Sequence, residues 1–170
     1  MRKVYFSGFE SVFLKSAYAS ERYALICAKY GFESLFPVDG NRLKEYNGRP
    51  IATLMEQNQA VFRYNTQKID AADVVIVHLD SFYRICTINT AFEAGYAFSK
   101  GKKVIGCLNA GETFNGCLVY NNNEYIVGCT DQPANLMVAS AMSYIIQGSM
   151  EDCLEQILGK IDILDGDVIE

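Results

Sequence analysis

The sequence predicts an α/β fold with a mostly parallel sheet. Short β-rich runs alternate along the chain with longer segments whose apolar residues recur at helical spacing. One run, residues 73–79 (DVVIVHL), is almost continuously apolar, which is typical of a strand buried on both faces of a parallel sheet. Parallel strands need long crossover connections, and the predicted helices supply them in the usual right-handed sense.

The individual elements are predicted in alternating order. Each strand is a short β-rich run closed by turn residues, and each helix has apolar residues three and four positions apart. Strands are predicted at residues 3–7, 33–36, 73–79 and 103–108. Helices are predicted at residues 14–30, at 51 to about 69, from Thr90 onward, from Pro133 to about Ile146, and at 150–161. Residues 41–50 and the Gly- and Asn-rich stretch after Leu108 are predicted to be loops.

Length and composition predict one domain over residues 1–170. The 170 residues are 50% hydrophobic and 21% charged, and no linker-like stretch divides them. The longest apolar runs are too short to cross a bilayer, and the N-terminus lacks an apolar stretch of signal-peptide length. We therefore expect a cytoplasmic protein without a membrane partner.

Charge and cysteine usage argue against two further classes of function. The formal net charge is −5, and the nearest basic cluster is Lys100, Lys102 and Lys103, which is too small a basic face for a nucleic-acid polymer. The six cysteines occur singly, and the one histidine, His78, lies in an apolar run where a core role is the better interpretation. We therefore expect free thiols, no metal site and no organic cofactor.

The predicted topology places candidate binding residues at one rim of the sheet. Ligands of open parallel sheets bind beyond the carboxyl ends of the strands. This rule selects residues 7–10, 37–40, 80–89 and 109–112. Just behind the third segment, Thr90-Ala91-Phe92-Glu93 fits a capping box, in which Thr90 caps the helix and Glu93, in the first turn, reaches back to the cap's backbone N–H. Taken alone, this pattern favours a structural role for Glu93.

The surroundings of Glu93 weaken the case for a purely structural role. Its helix is apolar around most of its circumference, which predicts packing against the sheet on one side and against another subunit on the other. Asn89, Tyr96 and Lys100 fall on the same helical face as Glu93 and are predicted to orient its carboxylate.

Three stretches share their order and spacing with a known family. MRKVYFSGFESVF is similar to its opening strand and loop, and QPANLMV to its late Pro-x-Asn-Leu-Met segment. Between them, DAADVVIVHLDSF followed by NTAFEAGYAFSKGKKVI resembles a central block in which Asp-x-Gly-Thr-Ala-x-Glu leads into a Gly-Tyr-Ala helix. The family is the nucleoside 2-deoxyribosyltransferases, with related enzymes that hydrolyse the N-glycosidic bonds of nucleotides. The resemblance implies a flavodoxin-like, doubly wound parallel sheet of about five strands with flanking helices.

The resemblance also implies residue roles. Glu93 matches the nucleophile, which attacks the anomeric carbon of a 2-deoxynucleoside, releases the base and carries a deoxyribosyl ester until another base or water takes the sugar. Tyr5 matches the tyrosine that orients this nucleophile. Asn135 matches an asparagine that reaches into the neighbouring subunit's pocket, which implies a homodimer or higher homo-oligomer with shared active sites. On the predicted rim, further candidate substrate contacts are Ser7, Gly8, Phe9 and Asp39, although turn formation or packing explains the last two equally well.

Three departures from the family pattern bear on the substrate. Thr87 stands where the transferases have an Asp that helps to hold the free sugar end, and Asn89 stands where they have Gly. Asn65 stands where many members have an Asp that contacts the base, although some members that act on purines also have Asn. Relatives that hydrolyse nucleoside 5-monophosphates carry a serine at the place of Thr87, where a carboxylate would repel phosphate.

The sequence therefore leaves three functions open. The first is a transferase that takes a deoxynucleoside or deoxynucleotide and a free base. The second, motivated by Thr87, is a nucleoside 5-monophosphate N-glycosidase. The third is a nucleotide-binding protein with impaired catalysis, because two positions of the central motif differ from the family pattern.

Overall fold

A computed structural model describes residues 1–8, 17–40, 43–79, 87–108, 117–120, 123–126 and 136–159. The described strands are β1 (Arg2–Ser7), β2 (Phe32–Leu35), β3 (Glu45–Tyr46), β4 (Arg49–Pro50), β5 (Val74–His78), β6 (Lys103–Leu108), β7 (Cys117–Tyr120), β8 (Asn123–Ile126) and β9 (Tyr144–Gln147). The described helices are α1 (Ala17–Lys29), α2 (Leu54–Ala71), α3 (Ile88–Ser99), α4 (Leu136–Ser140) and α5 (Met150–Gly159). None of these helices is long and apolar enough to span a membrane.

Five strands form one parallel sheet in the order β2-β1-β5-β6-β9. The predicted α/β fold with a parallel sheet of about five strands is therefore confirmed. Every carboxyl end lies at the same edge, because all four pairings are parallel. The end of β1 and the end of β5 are immediate neighbours there, with Ser7 paired to Val77.

The alternation of side chains along β1 sends them to two different cores. Val4 and Phe6 pack with α1 and α5 on one face of the sheet. Tyr5 packs on the other face with α2 and α3, against residues such as Ile69 and Ala94. Because successive strand residues point to opposite faces, Ser7 shares the face of Tyr5. Two polar side chains of β1 are thereby directed toward α3.

Residues 133–146 differ from the prediction of one long helix. The helix α4 ends at Ser140, and Tyr144–Gln147 forms the edge strand β9, in which Tyr144 pairs with Ile105 of β6. The run YIIQ is rich in β-forming residues, and the sheet offers β6 as a partner, so tertiary pairing overrides the helical spacing seen in the sequence.

Two small antiparallel hairpins occupy segments predicted to be loops. β3 pairs with β4 through Asn47 and Gly48, whose φ angles of 51° and 72° are those of a tight primed turn. β7 pairs with β8 in the stretch after Leu108.

Candidate active site

The helix α3 begins earlier than predicted, and its start changes the role of Glu93. Thr87 is the N-cap, and its hydroxyl accepts a hydrogen bond from the Thr90 backbone N–H at 3.1 Å. Thr90 lies within the helix, fully buried, with its hydroxyl 2.7 Å from that of Thr87. The predicted capping box of Thr90 and Glu93 is therefore wrong. Glu93 lies in the second turn, and its carboxylate turns toward the sheet.

Side chains from β1 and α2 donate hydrogen bonds to the Glu93 carboxylate. Tyr5 Oη donates to Oε1 at 2.9 Å, and Ser7 Oγ donates to Oε2 at 2.6 Å. Asn65 Nδ2, on α2, donates a longer bond to Oε1 at 3.4 Å. Glu93 is only 4% exposed, so these donors replace the water that an exposed carboxylate would bind. These donors fix the position of both carboxylate oxygens.

The helix α2 holds residues 36–40, the wall segment that follows β2, against the site. Asn65 Oδ1 accepts a hydrogen bond from the Val38 backbone N–H at 3.0 Å, which fixes the orientation of the amide that faces Glu93. Lys68 Nζ donates to the Phe36 carbonyl at 2.7 Å, and Gln57 Nε2 donates to the Gly40 carbonyl at 2.7 Å. Burial lowers the pKa of Lys68. The segment after β2 thus forms a tethered wall of the site.

A cavity of about 460 Å³ opens over Glu93. This volume lies within the range of small-molecule sites and accommodates a nucleoside. Half of the ten lining residues are apolar and half are polar, so the walls offer both packing surface and hydrogen-bonding groups. The full lining is Val38, Asn58, Val61, Phe62, Asn65, Thr66, Ile88, Asn89, Phe92 and Glu93.

The structure brings some of the predicted site residues together. Glu93, Asn65 and Asn89 line the cavity. The Tyr5 hydroxyl donates a hydrogen bond to Glu93 from the side of the sheet. Ser7, predicted to contact substrate, is fully buried and bonds Glu93 instead.

Other predicted site residues lie elsewhere. Thr87 caps α3, and Asp39 belongs to the wall segment without lining the described cavity. Gly8 has a φ of 83°, and a Cβ there would meet the His78 carbonyl at 2.8 Å, so its role is close packing. Phe9 and Asn135 lie outside the described residues.

The prediction that Tyr96 and Lys100 orient Glu93 is wrong. The Tyr96 hydroxyl donates to both carboxylate oxygens of Asp70 at 3.1 Å, and Lys100 Nζ lies 3.4 Å from Asp70 Oδ1. These groups join the C-terminal turns of α2 and α3 at the surface, away from the cavity.

Sequence reasoning missed most of the α2 wall. Counted from the first of them, the missed lining residues of α2 lie three, four and eight positions further along the chain. This helical spacing places them on one face, and it is the signal in the sequence that could have identified them. They are Asn58, Val61, Phe62 and Thr66. Among the described ranges, no three His, Cys, Asp or Glu side chains are grouped as metal ligands. Cys27, Cys107 and Cys153 are buried thiols.

Comparison with known proteins places this geometry in a family. The nucleoside 2-deoxyribosyltransferase model matches residues 4–137. No curated protein sequence matches the chain.

Solved structures share the fold at low sequence identity. A 2-deoxyribosyltransferase of Leishmania mexicana is 20% identical, with a TM-score of 0.63 over 94% of this chain and 98% of that chain. A conserved protein of Enterococcus faecalis is 18% identical, with a TM-score of 0.60 over 94% and 99%. A CMP N-glycosidase of Clostridium botulinum is 15% identical, with a TM-score of 0.51 over 95% and 99%. The fold agrees with the family match, which covers most of the chain, and the protein therefore belongs to the nucleoside 2-deoxyribosyltransferase family.

Proposed function

We propose that the protein cleaves the N-glycosidic bond of 2-deoxynucleosides with Glu93 as nucleophile and passes the sugar to another base or to water. The observation that carries this proposal is the position of the Glu93 carboxylate. It is buried, it accepts a hydrogen bond from Tyr5, and Glu93 lines a cavity of nucleoside size. A carboxylate placed against an anomeric carbon suits a transition state with oxocarbenium character, and two displacements retain the configuration.

The reaction proceeds in two balanced steps. A lone pair of Glu93 forms an ester bond to the anomeric carbon while the bond from that carbon to the base nitrogen breaks, and the base leaves with the electron pair. A nitrogen of a second base, or a water oxygen, then attacks the same carbon and the carboxylate is released. The incoming nucleophile loses a proton, and the departing base gains one.

Substitution of Glu93 tests the proposal. Glu93→Ala and Glu93→Gln are expected to reduce base release by roughly 10³-fold or more, because no other group replaces the attacking oxygen. Base release is measured by chromatography, and folding by circular dichroism. Glu21→Gln, an exposed position on α1 at the opposite face of the sheet, is the matched control and keeps full activity. Undiminished turnover in folded Glu93→Ala protein would refute the proposal.

A covalent adduct separates an enzyme from a catalytically impaired binding protein. Incubation with 2-fluoro-2-deoxynucleosides is expected to add the mass of the sugar to the peptide that contains Glu93, since the fluorine slows release of the ester. Binding of nucleosides without adduct or turnover would favour the binding protein.

A nucleoside 5-monophosphate N-glycosidase is the second candidate. Thr87 caps the first turn of α3 with a hydroxyl, where the family's Asp would place a negative charge. A helix N-terminus free of that charge favours an anion such as a phosphate. Matched substrates with and without the 5-phosphate decide between the candidates: faster release from the monophosphate supports the glycosidase, and equal or slower release supports the transferase.

We also propose a homo-oligomer with shared sites. Phe92 and Phe98 on the outer face of α3 are 48% and 58% exposed, and Ile88 at its start is 89% exposed. Phe92 and Ile88 also line the cavity, so a second copy packed on α3 would lie at the cavity's mouth. An apolar surface of this kind is typical of a protein interface.

A further inference from the structure

Ser7 has an unusual environment for a residue at the end of a strand. It is 0% exposed, pairs with Val77 of β5, and lies between the sheet and α3. A hydroxyl buried in this way costs free energy unless it is hydrogen bonded. Its bond to Glu93 Oε2, at 2.6 Å, has the short length of a hydroxyl that donates to an ionised carboxylate. The hydroxyl is therefore directed at the carboxylate, whereas the cavity above is lined by other residues.

The two oxygens of Glu93 have different surroundings. Oε1 accepts from Tyr5 and from Asn65, and Asn65 lines the cavity. Oε2 accepts from Ser7, which lies on the sheet side. Oε1 thus shares a donor with the cavity wall through Asn65, whereas the donor to Oε2, Ser7, is not among the lining residues.

The carboxylate plane of Glu93 can rotate, and for this reason a hydrogen bond to Oε2 matters. The terminal torsion of a glutamate is broad, so a bond to one oxygen leaves the plane free to turn. Tyr5 and Asn65 hold Oε1, and a donor on Oε2 fixes the plane because it holds the second oxygen as well. We propose that Ser7 is a positioning residue that anchors Oε2 and so presents Oε1 to the anomeric carbon; this inference rests on the proposed function of Glu93.

Kinetics of Ser7 variants test this role. Ser7→Ala is expected to lower kcat by about 10- to 100-fold with little change in KM, because a loosely oriented nucleophile slows the chemical step. Formation of the 2-fluoro-2-deoxyribosyl adduct slows by a similar factor. Ser7→Thr keeps a hydroxyl and is expected to recover a large part of the rate. Ser34→Ala, which removes a hydroxyl from the neighbouring strand β2, is the matched control and leaves kcat unchanged.

Binding measurements distinguish positioning from substrate contact. The probe is the deoxynucleoside that the wild-type protein cleaves fastest among the four common ones, titrated calorimetrically into Glu93→Gln and into Glu93→Gln with Ser7→Ala. Equal Kd values within about twofold are expected, since Ser7 acts through the carboxylate and not on the ligand. A Kd that rises in proportion to the loss of kcat would overturn the inference, and so would a folded Ser7→Ala protein with kcat within threefold of wild type. If Glu93→Ala is also fully active, the proposed function itself fails; if Glu93→Ala is inactive while Ser7→Ala is normal, only the role of Ser7 fails.

Discussion

Asn65 joins two parts of the site through one amide group. Its oxygen accepts from the Val38 backbone N–H, and its nitrogen donates to Glu93, so the cavity wall at Val38 and the Glu93 carboxylate share one support. The sequence identified Asn65 as a site residue only through its family position. It did not indicate this bridge, because Val38 and Glu93 lie 27 and 28 residues away and meet Asn65 only after the sheet forms. Ser7 is a similar case, since its partner is 86 residues away.

Removal of the Asn65 amide is expected to affect both stability and activity. Asn65→Ala leaves the Val38 N–H without its acceptor and Glu93 without one donor, at a cost of about 1–3 kcal/mol in the free energy of unfolding. Urea denaturation measures this loss, and base release is expected to fall about 10-fold through the looser carboxylate. Asn65→Asp keeps the acceptor for Val38 but places a second carboxylate beside buried Glu93, so it is expected to lose at least as much stability at about pH 7 as Asn65→Ala. Equal stability of Asn65→Ala and wild type would contradict the bridge.

At the level of helices and strands, local pattern predicted the five described helices and four strands of the main sheet, but it missed β9 and both hairpins and misplaced the start of α3. The pattern Thr-x-x-Glu occurs at Thr53–Glu56 and again at Thr90–Glu93. The first copy forms a true capping box at the start of α2. The second does not, because Thr87 caps α3 instead and β1 supplies donors to Glu93 from far along the chain. The four-residue pattern is the same in both copies, so it does not show which copy forms a capping box. Only the partners that the fold brings to each glutamate distinguish them.

The capping box of α2 is expected to stabilise the helix that carries Asn65. Thr53→Ala removes the hydroxyl that accepts from the Glu56 N–H at 3.2 Å and is expected to lower the free energy of unfolding by about 1 kcal/mol. Thr53→Ser is the matched control and keeps the cap. Identical urea midpoints for the Ala and Ser variants would show that the cap contributes nothing.

The other half of the capping box makes a prediction about pH. The backbone N–H groups of Ala52 and Thr53 lower the pKa of Glu56 from its ordinary value of 4.5. A pKa lowered on folding contributes stability above the unfolded value and loses it as the pH falls through the folded value. Glu56→Gln is therefore expected to be destabilising at about pH 7 and nearly neutral at about pH 3, as measured by urea denaturation at the two pH values. A constant difference at both pH values would contradict this origin.

For the whole molecule, the sheet separates two surfaces with different expected roles. The α1 and α5 side covers a core without a described cavity, and the α2 and α3 side carries the cavity together with exposed aromatic side chains. The sequence anticipated an α3 that is apolar on both sides. The local sequence pattern does not identify a partner for the outer face of α3, because that partner depends on contacts between whole folded chains.

The oligomer is tested by charge on each surface. The Phe98→Asp variant is expected to be monomeric and less active than the wild-type oligomer, because burial of a carboxylate in an interface costs free energy. Leu25 on α1 is 73% exposed, and Leu25→Asp is the control that leaves the assembly intact. Sedimentation velocity and base release are measured on the same samples. A monomeric wild-type protein with full activity would refute the shared site.

The donors on β1 also determine when Glu93 acquires its hydrogen-bonded environment. Tyr5 and Glu93 are 88 residues apart, and contacts of such separation form late because a long loop must first close. A growing chain on the ribosome exposes β1 long before α3 is made, and until the two meet Glu93 is an ordinary glutamate in water. The buried, hydrogen-bonded environment of Glu93 is therefore a product of the assembled layer of β1, α2 and α3, and a chain in which any of these three elements is not in place lacks it.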